Sequence, residues 1–102
     1  MAPILVAAST EMAETASWYD DGVAGLGERF LPETEAAFAR IDEKPLTGPP
    51  WKHRRLPEGV RRMFVRSFPD AAVYMVEPRV VVVALAHARQ RPGYWLNRLG
   101  EV

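Results

Sequence analysis

The pattern of apolar and polar positions changes character near residue 60. From Val60 the chain reads VRRMFVRSFPDAAVYMVEPRVVVVALAH, with β-prone runs at Val60–Ser67, Ala71–Glu77 and Val80–His87. Branched, aromatic and methionine side chains fill the runs, as suits a pleated, half-buried surface. Phe68-Pro69-Asp70 and Pro78-Arg79 separate them, and Pro and Asp favour tight turns. Such short gaps leave no room for a parallel crossover, so the pattern predicts an antiparallel meander. The third run, Val80 to Ala86, is apolar at both alternating positions, which predicts a strand covered on both faces. A partner or the chain itself supplies the second cover.

Upstream the period lengthens to that of a helix. Pro3-Ile4-Leu5-Val6-Ala7 is a short apolar run that predicts a first strand, at an edge because Pro3 lacks a donor. Ser9 or Thr10 then caps a helix from about Glu11 to Asp21, with Met12, Thr15, Ala16, Trp18 and Tyr19 near one stripe. Gly22 ends it, and Gly25 and Gly27 let the chain reverse. A second helix runs from Leu26 or Gly27 to Ile41, its face formed by Phe30, Leu31, Thr34, Ala37, Phe38 and Ile41. Pro32 requires either a regular helix that begins near Leu31 or a tolerated kink. The two stripes predict a helical hairpin over the sheet, with Trp18, Phe30 and Phe38 buried against Val82 and Ala84 of the last strand. Lys44 to Pro50 reads as loop, and Trp51 to Leu56 as a charged edge strand that Pro57-Glu58-Gly59 turns into Val60. The expected class is α+β: a short N-terminal strand and a helical hairpin packed on an antiparallel sheet.

At 102 residues the chain is expected to form one domain with a modest core. Its 48% hydrophobic and 25% charged content argues against wholesale disorder. The absence of cysteine excludes disulfides and thiolate metal sites. The N-terminus lacks the features of a signal peptide and no apolar run reaches the length of a membrane span, so a soluble, cytoplasmic protein is expected. Charge is segregated. Residues 1–50 carry nine acidic and three basic side chains, and residues 51–102 four acidic and ten basic, so the halves are −6 and +6. That polarity suggests a basic surface on the sheet and an acidic helical back. The plainer alternative is mutual attraction of the halves within one fold.

The densest chemistry follows the third strand: His87, Arg89, Arg91, Tyr94, Trp95 and Arg98. By residue type, His87 suits acid–base work, the arginines suit phosphate charge, and Tyr94 and Trp95 suit stacking on a base. Each also has an ordinary structural role, Trp95 above all as a core anchor. The two histidines, His53 and His87, lie far apart with no carboxylates at ligand spacing, so neither a metal nor another cofactor is expected. Gly25-Leu26-Gly27 is too short for a dinucleotide fingerprint.

Trp18-Tyr19, Gly25-Leu26-Gly27-Glu28-Arg29-Phe30, Val60-Arg61-Arg62, Phe68-Pro69, Tyr74 and the ending His87-x-Arg89-x-Arg91-Pro92-x-Tyr94-Trp95-x-x-Arg98 together resemble the ParE-like toxins of the RelE/ParE superfamily, which belong to type II toxin–antitoxin systems. The resemblance spans nearly the whole chain, and the ending is its most specific part. It implies a RelE/ParE-like fold and a toxin neutralised by a cognate, ParD-like antitoxin. ParE toxins poison DNA gyrase without chemistry, and on that reading Arg61, Arg62, His87, Arg89, Arg91, Tyr94, Trp95 and Arg98 are the candidate target-binding residues. RelE relatives cleave ribosome-bound mRNA, and the matching catalytic positions are then Arg62 or Arg66 with Arg89 and Tyr94. Ala88 after His87, and Tyr94 within Pro-Gly-Tyr-Trp, depart from the ribonuclease pattern and favour the gyrase type. A basic RNA-binding domain without toxicity is the third alternative. Val81, Val83 and Leu85 are the candidate floor of an antitoxin groove, unless Tyr94, Trp95 and Leu99 fold back over that face.

Overall fold

The computed structural model describes residues 2–102, the side chain of Glu101 excepted. Two helices, α1 (Val6–Gly22) and α2 (Leu26–Glu43), precede three strands, β1 (Val60–Phe64), β2 (Asp70–Met75) and β3 (Val81–His87), and a closing 3-10 helix, Leu96–Glu101. The strands form one antiparallel sheet in the order β1-β2-β3, as the short gaps require. The expected α+β class therefore holds, with the helical hairpin on one face of the sheet.

Several boundaries differ for identifiable reasons. Instead of a full N-terminal strand there is a single parallel bridge between Ile4 and Val82. Leu5 N–H donates to the Val82 carbonyl at 3.0 Å, and Val82 N–H donates to the Pro3 carbonyl at 2.9 Å. The chain then enters α1 at once, with Leu5 as an N-cap that offers no side-chain bond. Ser9 and Thr10 lie inside the helix rather than capping it, because Ala7 and Ala8 are good helix formers and Ala8 is fully buried. At the hairpin crossing the Gly27 amide donates to Asp20 Oδ1 at 2.7 Å, capping α2 from α1. A Cβ on Gly27 would stand 2.2 Å from the Ala16 carbonyl oxygen, so the helices meet closely only because residue 27 has no side chain. α2 runs unbroken through Pro32, which is exposed, so water can serve the carbonyl that proline leaves without a donor.

β1 stops at Phe64 rather than Ser67, since Val65 to Pro69 form the turn and Ser67 is left-handed at φ 70°. Val65 N–H closes the turn on the Asp70 carbonyl at 2.9 Å. Residues 51–56 do not form the expected edge strand. Pro50 bridges Arg61 once, and Trp51 N–H reaches the Val60 carbonyl at 2.8 Å. Pro49 and Pro50 lack the donors a longer ladder needs.

Both faces of the sheet are covered, by different parts of the chain. Met63, Val65, Ala72, Tyr74, Val82 and Leu85 pack with Ala8, Ala16, Tyr19, Phe30, Ala37 and Ile41 of the helices. On the other face Val60, Val73, Val81, Val83, Ala84 and Ala86 pack with Trp95, joined by Trp51, Leu56, Tyr94, Leu96 and Leu99. The alternation along β3 is broken by a bulge. Val73 pairs with Ala84 and Tyr74 with Val82, so Val83 is an extra residue. Val83 and Ala84 therefore share one face, and every later residue changes sides.

That one insertion corrects two expectations. Ala84 faces Trp95, not the helices, and Leu85 faces the helices rather than sharing a floor with Val81 and Val83. All three proposed antitoxin contacts are buried, Val81 and Val83 completely and Leu85 to 2% exposure, beneath the chain's own elements. They form no open groove: the C-terminal segment occupies that place. Trp18 is likewise corrected. It is 63% exposed, and Tyr19 at 8% takes the buried position. The inward stripe runs Ala8, Met12, Ala16, Tyr19, which leaves Trp18 about 100° away. Phe30 is fully buried as expected, and Phe38 is half-buried at the edge of the same core.

Among the described residues the one ion pair is Arg98–Glu11, so the opposite charges of the two halves are not consumed in cross-links. Lys52, Arg54, Arg55, Arg66, Arg79, Arg89 and Arg91 are exposed in the loops of the sheet half. Among the described residues no helix is long and apolar enough to cross a membrane.

Replacing Phe30 by Ala is expected to cost about 3–5 kcal/mol, the range for a large core truncation. Trp18→Ala should change stability by less than about 0.5 kcal/mol, as at other exposed sites. Urea melts of the two variants check the assignment of the inward stripe.

Candidate functional site

The chain leaving β3 carries most of the candidate residues, and the fold divides them. Tyr94 hydroxyl donates to Glu11 Oε2 at 2.6 Å, and Arg98 donates to both oxygens of the same carboxylate at 2.8 and 3.2 Å. Glu11 Oε1 also accepts the Leu85 amide at 3.1 Å, while Arg98 donates to the Val83 carbonyl at 3.1 Å. One carboxylate on α1 thus holds the edge of β3 and the C-terminal segment together. Burial, then the bond and charge of Glu11, pushes the Tyr94 hydroxyl pKa upward, so it stays protonated. The hydrogen bond that Arg98 donates to Glu11 raises the Arg98 pKa above its usual value. Trp95 is fully buried in the second core. Tyr94, Trp95 and Arg98 are therefore framework residues rather than a displayed surface.

Arg61 is committed as well. Its Nη1 donates to the Leu46 and Gly48 carbonyls at 3.0 and 2.8 Å, pinning the loop after α2. Tyr74 assists from the sheet, its hydroxyl donating to the Pro45 carbonyl at 2.6 Å and accepting the Gly48 amide at 3.1 Å. Arg66 is exposed in the β1–β2 turn.

Arg62, His87, Arg89 and Arg91 remain available. The end of the second sheet face that Trp95 does not cover is a groove of about 290 Å³. Its floor includes Ala71, Val73 and Ala86, and Arg62, Phe64 and His87 also line it. The Arg62 guanidinium lies 4.2 Å from the centroid of Trp51 and 5.2 Å from that of Phe64. Among the described residues it has no carboxylate partner, its Nε is enclosed without an acceptor, and burial lowers its pKa. Phe64 is 51% exposed beside it.

His87 ends β3 opposite Asp70. Its Nδ1 accepts the Arg89 amide at 3.0 Å, and its own amide donates to Gln90 Oε1 at 2.7 Å. These bonds fold the loop tightly and leave the proton of the neutral ring on Nε2. The ring stands edge-on to exposed Trp18 at 6.3 Å. Trp18, His87 and Arg89 line a second, shallower bowl on the helical side, with Glu14 and Gln90. His87 is thus the ridge between groove and bowl, and Arg89 stands on the same loop.

Three contributors escape a reading by residue pattern. Glu11 looks like an ordinary first-turn acid, and only the fold brings it to Tyr94 and Arg98. Trp18 could have been placed outside had the helix been started at Val6. Asp70 reads as a turn residue yet is buried, accepting a hydrogen bond from the Tyr19 hydroxyl. Burial is the main cause that raises the Asp70 pKa, against the Tyr19 bond and the charge of His87.

The chain matches no family model and no curated protein.

Glu11→Ala should lose about 2–3 kcal/mol, because it strands a half-buried guanidinium and an amide at once. A urea melt checks the value, and Glu11→Gln should recover part of it. For Asp70 the sign follows from its raised folded value. The folded state holds that proton more tightly than the unfolded chain, so its contribution is most favourable below about pH 4 and is lost as pH rises through the folded value. The stability difference between Asp70→Asn and the parent should shift toward the variant between pH 4 and pH 7, measured by melts across about that range.

Proposed function

We propose that this chain is the toxin component of a type II toxin–antitoxin system, of the ParE-like kind that inhibits DNA gyrase by binding, and that a cognate antitoxin neutralises it in the cytoplasm. The observation that carries the non-nuclease reading is the Tyr94 hydroxyl. A RelE-like ribonuclease would need it to act on a ribose hydroxyl together with Arg62 or Arg66 and Arg89. Here that hydroxyl is donated to Glu11 and held protonated, with Arg98 on the same carboxylate. Arg61 and Trp95 are equally occupied with the fold. What remains for a target is a surface: His87 at the end of β3, Arg89 and Arg91 on the loop after it, and exposed Trp18 beside His87 and Arg89. An aromatic and basic patch without assembled catalytic groups suits recognition, in which Trp and Arg commonly supply the anchors.

Expression in a bacterium without antitoxin should slow growth with induction of the SOS response while translation continues. Joint replacement of Arg89 and Arg91 by Ala should relieve toxicity without lowering the melting temperature. Tyr94→Phe, which keeps the ring, should retain toxicity. Rapid translational arrest with cleavage of ribosome-bound mRNA, abolished by Tyr94→Phe, would establish the ribonuclease instead.

A further inference from the structure

We infer that the open groove over Arg62 receives a protein segment that sets one carboxylate on the Arg62 guanidinium and an aliphatic side chain on the floor formed by Ala71, Val73 and Ala86. The inference rests on the toxin–antitoxin reading and identifies this segment as the antitoxin's. It moves the expected antitoxin contact from the buried positions of β3 to the uncovered end of the same sheet face.

The first ground is the state of Arg62. A guanidinium taken partly out of water ordinarily has a carboxylate beside it, since burying an unpaired charge is costly. Arg62 instead lies between Trp51 and Phe64, and its Nε has no acceptor. The Asp70 carboxyl, which also borders the groove, is engaged by the Tyr19 hydroxyl. A carboxylate that enters the groove is the first counter-charge this arginine meets beyond the described residues of its own chain.

The second ground is the floor. Ala71, Val73 and Ala86 are small and apolar, and Phe64 stands half out of the surface at their edge. That combination fits an aliphatic anchor with a charged hydrogen bond beside it, as at the centre of protein interfaces. A nucleic-acid strand fits less well, because its regularly spaced phosphates call for a row of cations, and the groove floor offers one. The sheet edges give no alternative seat for an added strand. Glu11, Arg98 and Pro3 occupy the outer edge of β3, and Pro49, Trp51 and Arg40 that of β1.

The test is selection of a randomised 15-residue peptide library, of about that length, on the intact chain, followed by titration of the selected peptides. The selected peptides should share one Asp or Glu with Leu, Ile or Val nearby. Arg62→Gln and Phe64→Ala should each weaken them at least about tenfold. Phe64 is exposed, so the second variant remains informative if the first one folds poorly. Changing the shared acid to its amide should weaken binding to the parent chain and leave binding to Arg62→Gln unaltered. Selected peptides without an acid, or equal binding by parent and both variants, would overturn the inference. So would displacement of the peptides by a poly-dT oligonucleotide at lower concentration than unlabelled peptide, which would assign the groove to nucleic acid. Toxicity is read separately by growth, so peptide binding without toxicity would contradict the functional reading alone, and toxicity without peptide binding the groove alone.

Discussion

The carboxylate of Glu11 is the point on which the architecture depends. A sheet of three strands has two exposed edges, and β3 would otherwise present a row of unpaired amides and carbonyls at its outer side. Pro3 and Leu5 satisfy Val82, Glu11 satisfies the Leu85 amide, and Arg98 satisfies the Val83 carbonyl. Because Tyr94 and Arg98 converge on that same carboxylate, the group that finishes the edge also fastens the C-terminal segment. That fastening seats Trp95 and Leu99 over Val81 and Val83, and so closes the second core. Charge pairing at the surface is usually worth little. Here the pair is mostly enclosed and each partner has a second hydrogen-bond duty, so its removal leaves several groups unsatisfied together.

A consequence reaches the site. The C-terminal segment covers only the part of the second face that Trp95 can reach, and the end near the β1–β2 turn stays open around Arg62. The motif that closes the chain therefore has two jobs. Tyr94, Trp95 and Arg98 hold the fold, whereas His87 ends β3 and Arg89 and Arg91 stand on the tight loop before them. Substitutions in the first group would disturb stability before function, and those in the second the reverse.

The large pattern was legible in the chain because period and gap length decide it. Strand pairing follows from gaps too short to cross over, and the helical hairpin from stripes separated by glycines. The inward or outward direction of single residues was less legible. Val83 occupies one additional position on β3, and nothing in a run of four valines marks where the bulge falls. That single residue reversed Ala84 and Leu85. Starting α1 at Glu11 instead of Val6 likewise concealed the stripe that puts Tyr19 inside and Trp18 outside. The clasp was invisible for a different reason: Glu11 lies 83 residues from Tyr94 and 87 from Arg98, and no local pattern signals such a meeting. The apolar run called for a cover on the second face without naming it: a partner was the expectation, fold-back of Tyr94, Trp95 and Leu99 the alternative, and the chain supplies its own cover.

Hydrogen exchange at the Leu85 amide reads the Glu11 clasp directly. The Leu85 amide points to the outer edge of the sheet, where an unclasped amide would exchange nearly as fast as one in a loop. If Glu11 holds it as described, Leu85 should exchange as slowly as the amides of the central strand β2. Exchange at Leu85 many times faster than at Ala72 and Val73 in the intact protein would show that the Glu11 clasp does not hold the edge, and would contradict the account.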